Sequence, residues 1–178
     1  MGTHKSARGN RLTGRGVVLR EWTEKDLSAM VALFDEPEVA YRTPLASPFD
    51  LPAARDYLKM IRQTHATGER IHLAITTDGE KARGEVLLNL TSATIGYAVG
   101  IAYRGQGLAV QAVQVLTDHA HRTLAIPRLH AQIEPDNRPS IAVVEAAGYR
   151  LTGAPAERVE DKGRSYPLLT WTHEDSRS

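Results

Sequence analysis

The sequence predicts a single α+β domain: a mixed, mostly antiparallel central sheet of about seven strands flanked by about four helices. Three observations lead there. Apolar residues recur at helical spacing early in the chain and switch to alternation from Ile71 onward. Hairpin signals then sit beside one strand–helix–strand unit, which is not the pattern of a doubly wound sheet. And 178 residues, 42% of them hydrophobic and 24% charged, suffice for one core.

The elements follow in order. Residues 1–13 are basic and polar, with Lys5, Arg8 and Arg11, and read as a flexible arm. A strand begins over Gly16–Arg20. Thr23 and Asp26 then resemble a helix start, and Leu27, Met30, Val31 and Phe34 supply the apolar face. Pro37, Pro44 and Pro48 mark residues 35–49 as loop or broken helix. Asp50 is placed to cap a helix with Pro52 in its first turn; Leu51, Ala54, Leu58 and Ile61 give its apolar residues to about Thr67 and Gly68 its end. Ile71, Leu73 and Ile75 alternate as in a half-buried strand, and Asp78-Gly79 signals a hairpin to a strand through Val86–Leu88. Ile95 to Ile101 form the next strand. A helix from Gly107 to Thr123 presents Ala109, Val113, Leu116 and Ala120 on one side. Leu129, Ala131 and Ile133 make another strand, Asn137 caps a short helix that Gly148 closes, and two last strands lie near 149–159 and 164–173. The domain is thus expected over 14–173, with a flexible tail at 174–178.

Composition narrows the function. Twenty-two basic against 21 acidic side chains give a net charge of +1, which calls for neither nucleic acid nor an anionic membrane as partner. With no cysteine, disulfides, thiolate metal sites and cysteine nucleophiles are excluded. No apolar stretch approaches the roughly 18 residues of a membrane span, and no apolar core follows the basic start as in a secretory signal. His119 and His121 are two apart on a helix, so they do not share a face as metal ligands would.

The segment richest in chemistry is Arg104-Gly105-Gln106-Gly107-Leu108-Ala109, where a strand runs directly into a long helix. Glycine permits close backbone approach and left-handed conformations. A helix start offers unpaired N–H groups and a partial positive charge. Together with Arg104 they form a cradle for a phosphate or pyrophosphate; a plain strand-to-helix turn is the alternative. Other phosphate motifs fail: no third glycine completes a dinucleotide fingerprint, and Glu85 follows Gly84 where a Walker motif needs lysine.

The second segment runs from Glu134-Pro-Asp-Asn137 through Ser140 to Glu145-Ala-Ala-Gly148-Tyr149. With Arg104, Gly107 and Ala109 in the spacing Arg-x-x-Gly-x-Ala, the two segments resemble the GNAT N-acetyltransferase superfamily. Within it they look like the subgroup that acetylates ribosomal-protein N-termini. The Leu19-Arg20 pair followed by Asp26 fits that subgroup's opening, so the resemblance covers about residues 16–172. The departures are Ala146-Ala147 before the Gly-aromatic pair, Ala125 where glycine is usual, and Pro167 where an Asp is common. Pro167 cannot donate to a ladder and predicts an edge or bulged strand there.

The resemblance implies a GNAT-like fold and a transferase, an acyl-CoA-dependent N-acyltransferase that moves acetyl from acetyl-CoA to a primary amine by direct attack, with no metal. It implies a cytoplasmic enzyme whose partners are acetyl-CoA and an amine-bearing peptide or small molecule, and it is compatible with a homodimer. The implied acceptor is a protein N-terminal amine. A small-molecule amine such as an antibiotic or polyamine, or a non-catalytic CoA-binding regulatory module, are the alternatives. Cofactor binding is expected at Val99 and Ile101 through their backbone, at Arg104, Gly105, Gln106, Gly107, Leu108 and Ala109, and at Asn137. Asn137 equally serves as a helix cap. Ser140 is implied as proton donor to the departing thiolate, its alternative being a first-turn hydroxyl. Glu134 and Glu85 are candidate general bases. His72 and His130 read as ordinary strand residues, with a place facing the cleft as the alternative for either, and Tyr97 reads as packing first.

Overall fold

The computed structural model describes residues 11–177. Arg20 organises the start of the domain. It lies on β2 (Val17–Glu21), which is paired to a short β1 (Leu12–Gly14). Its guanidinium bonds both oxygens of Asp26 at 2.9 Å, and its Nε donates to the carbonyl of Gly79 at 2.9 Å. Asp26 in turn accepts the Thr23 N–H at 2.8 Å, the capping box the sequence suggested, ahead of α1 (Leu27–Phe34). Burial pushes the Asp26 carboxyl up, but Arg20 and the Thr23 N–H outweigh it and hold it below its ordinary value. One ion pair therefore joins a strand, a helix start and a loop.

A short α2 (Pro37–Arg42) occupies part of the proline-marked stretch. In α3 (Leu51–Ala66), Asp50 accepts the Ala53 N–H at 3.0 Å and Gly68 ends the helix at φ +74°. Leu51, expected among its apolar residues, is its first residue and proves exposed. The sheet continues with β3 (Arg70–Thr76), β4 (Gly84–Asn89) and β5 (Thr94–Val99). Then come α4 (Leu108–Arg122), β6 (Arg128–Ile133), α5 (Arg138–Ala146), β7 (Arg150–Leu151), β8 (Glu157–Asp161) and β9 (Arg164–Glu174). The strand order is β1-β2-β3-β4-β5-β6-β9-β7, with β8 also on β9. Every pairing is antiparallel except β5–β6. The class is as expected, but the described residues hold nine strands and five α-helices, more than the sequence indicated.

Helices cover both faces of the sheet. α4 and α5 bury Leu73, Ile75, Val86, Leu88 and Ile133 on one side, and α1–α3 enclose Ala74 with Trp22, Phe34 and Phe49 on the other. This overturns the half-buried reading of β3, in which His72, Ala74 and Thr76 are as buried as their apolar neighbours. Small or polar residues fit there because α3 packs close and Tyr57 and Val18 supply hydrogen-bond partners.

Other differences have local causes. Of the expected arm, residues 1–10 lie outside the described residues, while Leu12–Gly14 pair with β2. Of the expected tail, Glu174 belongs to β9 and Ser178 lies outside the described residues. The strand expected at 149–159 is two: β7 and β8 flank a turn carrying Gly153 and Pro155. Pro167 pairs with Arg158 in the β8–β9 hairpin, past Leu169 where the pairing with β6 ends, so its missing N–H disturbs no central ladder. Ala125 adopts φ +55°, which explains why glycine suits that position. On α4 the buried face is centred on Ala112, Val113, Leu116 and Ala120, and Ala109 is only half buried. His121, also buried, places Nδ1 2.6 Å from the carbonyl of Ile126 and Nε2 2.9 Å from His173 Nδ1, stapling α4 to β9. Burial lowers the His173 pKa.

Leu116 is fully buried in the α4–sheet core. Leu116→Ala is expected to cost about 2–5 kcal/mol in urea titration, through lost transfer energy and the cavity left behind. A loss under about half a kcal/mol, the range of surface substitutions, would contradict this packing.

Candidate active site

The site grows from one irregularity in the sheet. β5 and β6 are parallel partners only at Thr94 and His130, where the His130 N–H reaches Ala93 O at 2.8 Å. Beyond that point β5 stays with β4 and β6 with β9, and the two strands part. The Gly100 N–H bonds Arg83 O, on the β4 side. Backbone groups alternate in direction along a strand, so those of Tyr97 and Val99 point into the opening. Val99, whose backbone is expected from the sequence to bind cofactor, thus directs its backbone groups into that opening. Ile101 differs: it lies in a 3₁₀ turn (Ile101–Tyr103) past the strand end, with its side chain exposed.

The turn delivers the chain to α4 through two left-handed glycines, Gly105 at φ +77° and Gly107 at φ +75°. A Cβ on Gly105 would meet nothing within 4 Å, and one on Gly107 only the Gln111 side chain at 3.8 Å. The space beside the turn is therefore open. The first intrahelical bond is Gln111 N–H to Gly107 O, which leaves the N–H groups of Leu108, Ala109 and Val110 without helical acceptors. The Leu108 side chain is buried as an anchor, while Gln106 is exposed. Arg104 is turned aside: its Nη1 pairs with Glu38 at 3.0 Å and its Nε with Val99 O at 3.3 Å.

A cavity of about 770 Å³ lies along the β5–β6 opening and reaches both faces of the sheet. On the α5 side stand Asn137, Ser140 and Tyr97. Asn137 Oδ1 caps α5 by accepting the Ser140 N–H at 3.4 Å. The Ser140 hydroxyl lies 2.6 Å from the Tyr97 hydroxyl, which also reaches Ser140 O at 2.8 Å. Burial pushes the Tyr97 phenol up to about 12, so it keeps its proton at neutral pH. Tyr97 is thus hydrogen-bonded as well as packed, and its hydroxyl pairs with that of Ser140.

On the α3 side lies Glu85. Its Oε1 accepts the Tyr57 hydroxyl, and His72 Nδ1 is 3.3 Å from Tyr57 Oη and 3.4 Å from Glu85 Oε1. Burial, then Glu85, push the Tyr57 phenol well above its ordinary value. The β3–β4 register sets Ala74 opposite Glu85 and His72 opposite Leu87, so His72 and Glu85 are diagonal neighbours on one face. Sequence reasoning missed Tyr57. The available signal was its spacing four before Ile61, which puts its hydroxyl on the buried stripe of α3.

Glu134 follows directly on β6, and its surroundings speak against a base. Arg164 bonds both its oxygens, at 2.9 and 2.8 Å, and Arg42 approaches at 3.1 Å. The hydrogen bonds from Arg164, then the charge of Arg42, hold its carboxyl below the ordinary range against the effect of burial. A carboxylate so engaged is a poor proton acceptor. It is instead a clasp: Arg164, stacked between Tyr41 at 3.8 Å and Tyr166 at 4.0 Å, ties the β8–β9 hairpin to α2 across the cavity rim.

Residues 17–150 match the family described as Acetyltransferase (GNAT) domain, and the chain belongs to that family. Among curated proteins it is similar to an uncharacterised N-acetyltransferase, p20 of Bacillus licheniformis, with 27% identity over 83% of this chain and 86% of that one. Its fold is similar to that of Mycobacterium smegmatis RimJ in complex with CoA-disulfide, at TM-score 0.80 and 22% identity over 94% of this chain and 87% of that one. It is equally similar, at TM-score 0.80 and 18% identity over 95% and 100%, to RimL, a ribosomal L7/L12 alpha-N-protein acetyltransferase in complex with coenzyme A. The chain is an acetyltransferase of this fold.

The clasp has a pH signature. A carboxyl whose pKa falls on folding stabilises the fold above its ordinary range, and that contribution is lost as pH drops through the lowered value. Arg164→Gln is expected to lower the melting temperature at neutral pH, with the gap from wild type closing on acidification below the usual carboxylate pKa of about 4.3. A gap that stays constant with pH argues against the Arg164–Glu134 pair as its source.

Proposed function

We propose that the protein transfers acetyl from acetyl-CoA to a primary amine, and that the amine is a protein or peptide N-terminus in the cytoplasm. The observation that carries the reading is the parted β5–β6 pair ending at the open Gly105–Gly107 turn. It sets thioester-sized space between a hydroxyl pair and a buried carboxylate. The free N–H groups of Leu108, Ala109 and Val110 suit the phosphates, with Arg104 and Gln106 at the rim. The backbone of Val99 suits the thioester arm and its oxygen. Asn137 borders the same arm, and Ala109 keeps the helix start free of bulk.

The chemistry divides between the faces. The amine nitrogen forms a bond to the thioester carbon, and the carbon–sulfur bond breaks. The amine gives up one proton towards Glu85, and the thiolate takes one from the Ser140 hydroxyl, which regains it through Tyr97 as the phenol is in turn reprotonated from solvent. An α-amine has a reference pKa of about 7.7–8.0, so the base need not be strong. The cavity supports an N-terminal acceptor over a polycation: its carboxylates share it with Arg42 and Arg70, and much of the wall is apolar.

Acetyl-CoA is expected to raise the melting temperature by mass action. Gly107→Glu should abolish that rise by placing a strained, negatively charged side chain in the cradle. Ser140→Ala should lower kcat on the order of 10²-fold, with little change in acetyl-CoA affinity. Tyr97→Phe should act in the same direction, more weakly. The assay is free-thiol release from acetyl-CoA and succinyl-CoA across amine and peptide panels. A Ser140→Ala kcat within about threefold of wild type, under one kcal/mol, sinks the donor role. Acetyl-CoA stabilisation that survives Gly107→Glu sinks the cradle.

A further inference from the structure

Arg104 borders the cofactor cradle, yet its guanidinium is committed elsewhere. Nη1 pairs with Glu38 Oε2 at 3.0 Å, and Nε donates to Val99 O at 3.3 Å. Val99 stands opposite Gly84 on β4, and the Gly100 N–H bonds Arg83 O. Residues 98 and 100 therefore turn their backbone groups towards β4, and Val99 turns its own into the opening. One side chain thus covers a backbone acceptor at the end of β5. One carboxylate, 66 residues away on α2, helps hold it there.

Glu38 is the anchored member of this pair. The far end of α2 is fastened by Lys162 Nζ, which donates to the carbonyls of Ala40 at 2.7 Å and Thr43 at 2.9 Å. Arg164 Nη2 donates to that of Tyr41 at 2.7 Å, and Arg42 pairs with Asp136 at 2.8 Å. Arg104 is the movable member. Its long side chain is 43% exposed and precedes the left-handed Gly105, where a Cβ would meet nothing within 4 Å. Glu38 is 51% exposed, and an ion pair so open to water is weak and readily exchanged. A pyrophosphate offers more charge than one carboxylate and the same bidentate fit to the planar guanidinium. We propose that Glu38 competes with the phosphates of acetyl-CoA for Arg104. It is a positioning residue that acts through Arg104: it holds the guanidinium on Val99 O and so lowers cofactor affinity. Because CoA carries the same phosphates, it also favours release of that product. The role rests on the acetyl-transfer reading, and the family resemblance implies nothing at Glu38.

The test is calorimetric titration of the full chain with acetyl-CoA and with CoA, at about 0.1 M salt, where charges within about 10 Å still interact. Four proteins are compared: wild type, Glu38→Gln, Arg104→Gln and the double variant. Glu38→Gln should bind both ligands about two- to fivefold tighter, the size of an exposed ion pair released. Glu38→Ala should repeat that gain. Arg104→Gln should weaken binding, and adding Glu38→Gln to it should change neither affinity, since the two act as one unit. A tightening on loss of Glu38 is not what mere structural damage would give. Binding that Glu38→Gln leaves unchanged or weakens overturns the role. So does an equal gain in the Arg104→Gln chain, which would mark a general effect of removing one negative charge. A wild-type chain that binds neither ligand strikes the acetyl-transfer reading, and this role with it; binding that ignores Glu38 strikes the role alone.

Discussion

The site depends on the brevity of a single strand pairing. Had β5 and β6 stayed in register past Thr94 and His130, their backbone groups would have bonded each other and closed the sheet. Because each strand keeps its outer neighbour, the sheet remains mechanically whole while its middle opens. The opening exposes the backbone of Tyr97 and Val99, lets one cavity reach both faces, and aims β5 at the glycine turn that starts α4. On the proposed function, donor and acceptor approach one point from opposite sides without crossing.

Keeping such a gap open requires that what surrounds it be held firmly, and charge does much of this holding. Arg20 and Asp26 bind the first strand to α1 and to the β3–β4 loop. Arg164, Glu134 and Arg42 bind the last hairpin to α2 at the cavity rim. Both carboxyls sit below their ordinary values for the same reason: guanidinium hydrogen bonds that outweigh the effect of burial. Arginine suits both places because its planar fork can engage both oxygens of a carboxylate at once. The contrast with Glu85 is instructive. It too is buried, but its neighbours are a phenol and an imidazole, and one of its oxygens has no partner.

Much of the fold was legible in the sequence wherever a local rule operated. Asp50 and Asn137 as caps, Gly68 and Gly148 as stops, the glycine turn at 105–107, and the alternation of Leu129, Ala131 and Ile133 depend on residues a few positions apart. The Asn137-to-Ser140 spacing was legible for the same reason, since one turn of helix fixes it. Less legible were β1, too short for periodicity, and the split of 149–159, where two brief exposed strands leave no apolar pattern. The burial of β3 on both faces also escaped, because small and polar residues at positions 72, 74 and 76 look like a solvent face until α3 is placed against them.

What the sequence alone determined was most of the elements, the family motifs and the pair of segments that carry them. Only the tertiary structure decided which candidate carboxylate is available. Glu134 and Glu85 are each one acidic residue near a strand end, and nothing in their neighbours along the chain separates them. Their difference lies in partners 30 and 92 residues from Glu134, namely Arg164 and Arg42, and in Tyr57 and His72 beside Glu85. A carboxylate's basicity is set by the charges and donors within a few ångströms. Those distances come from sheet register and helix packing, which bring together residues that no window of sequence contains.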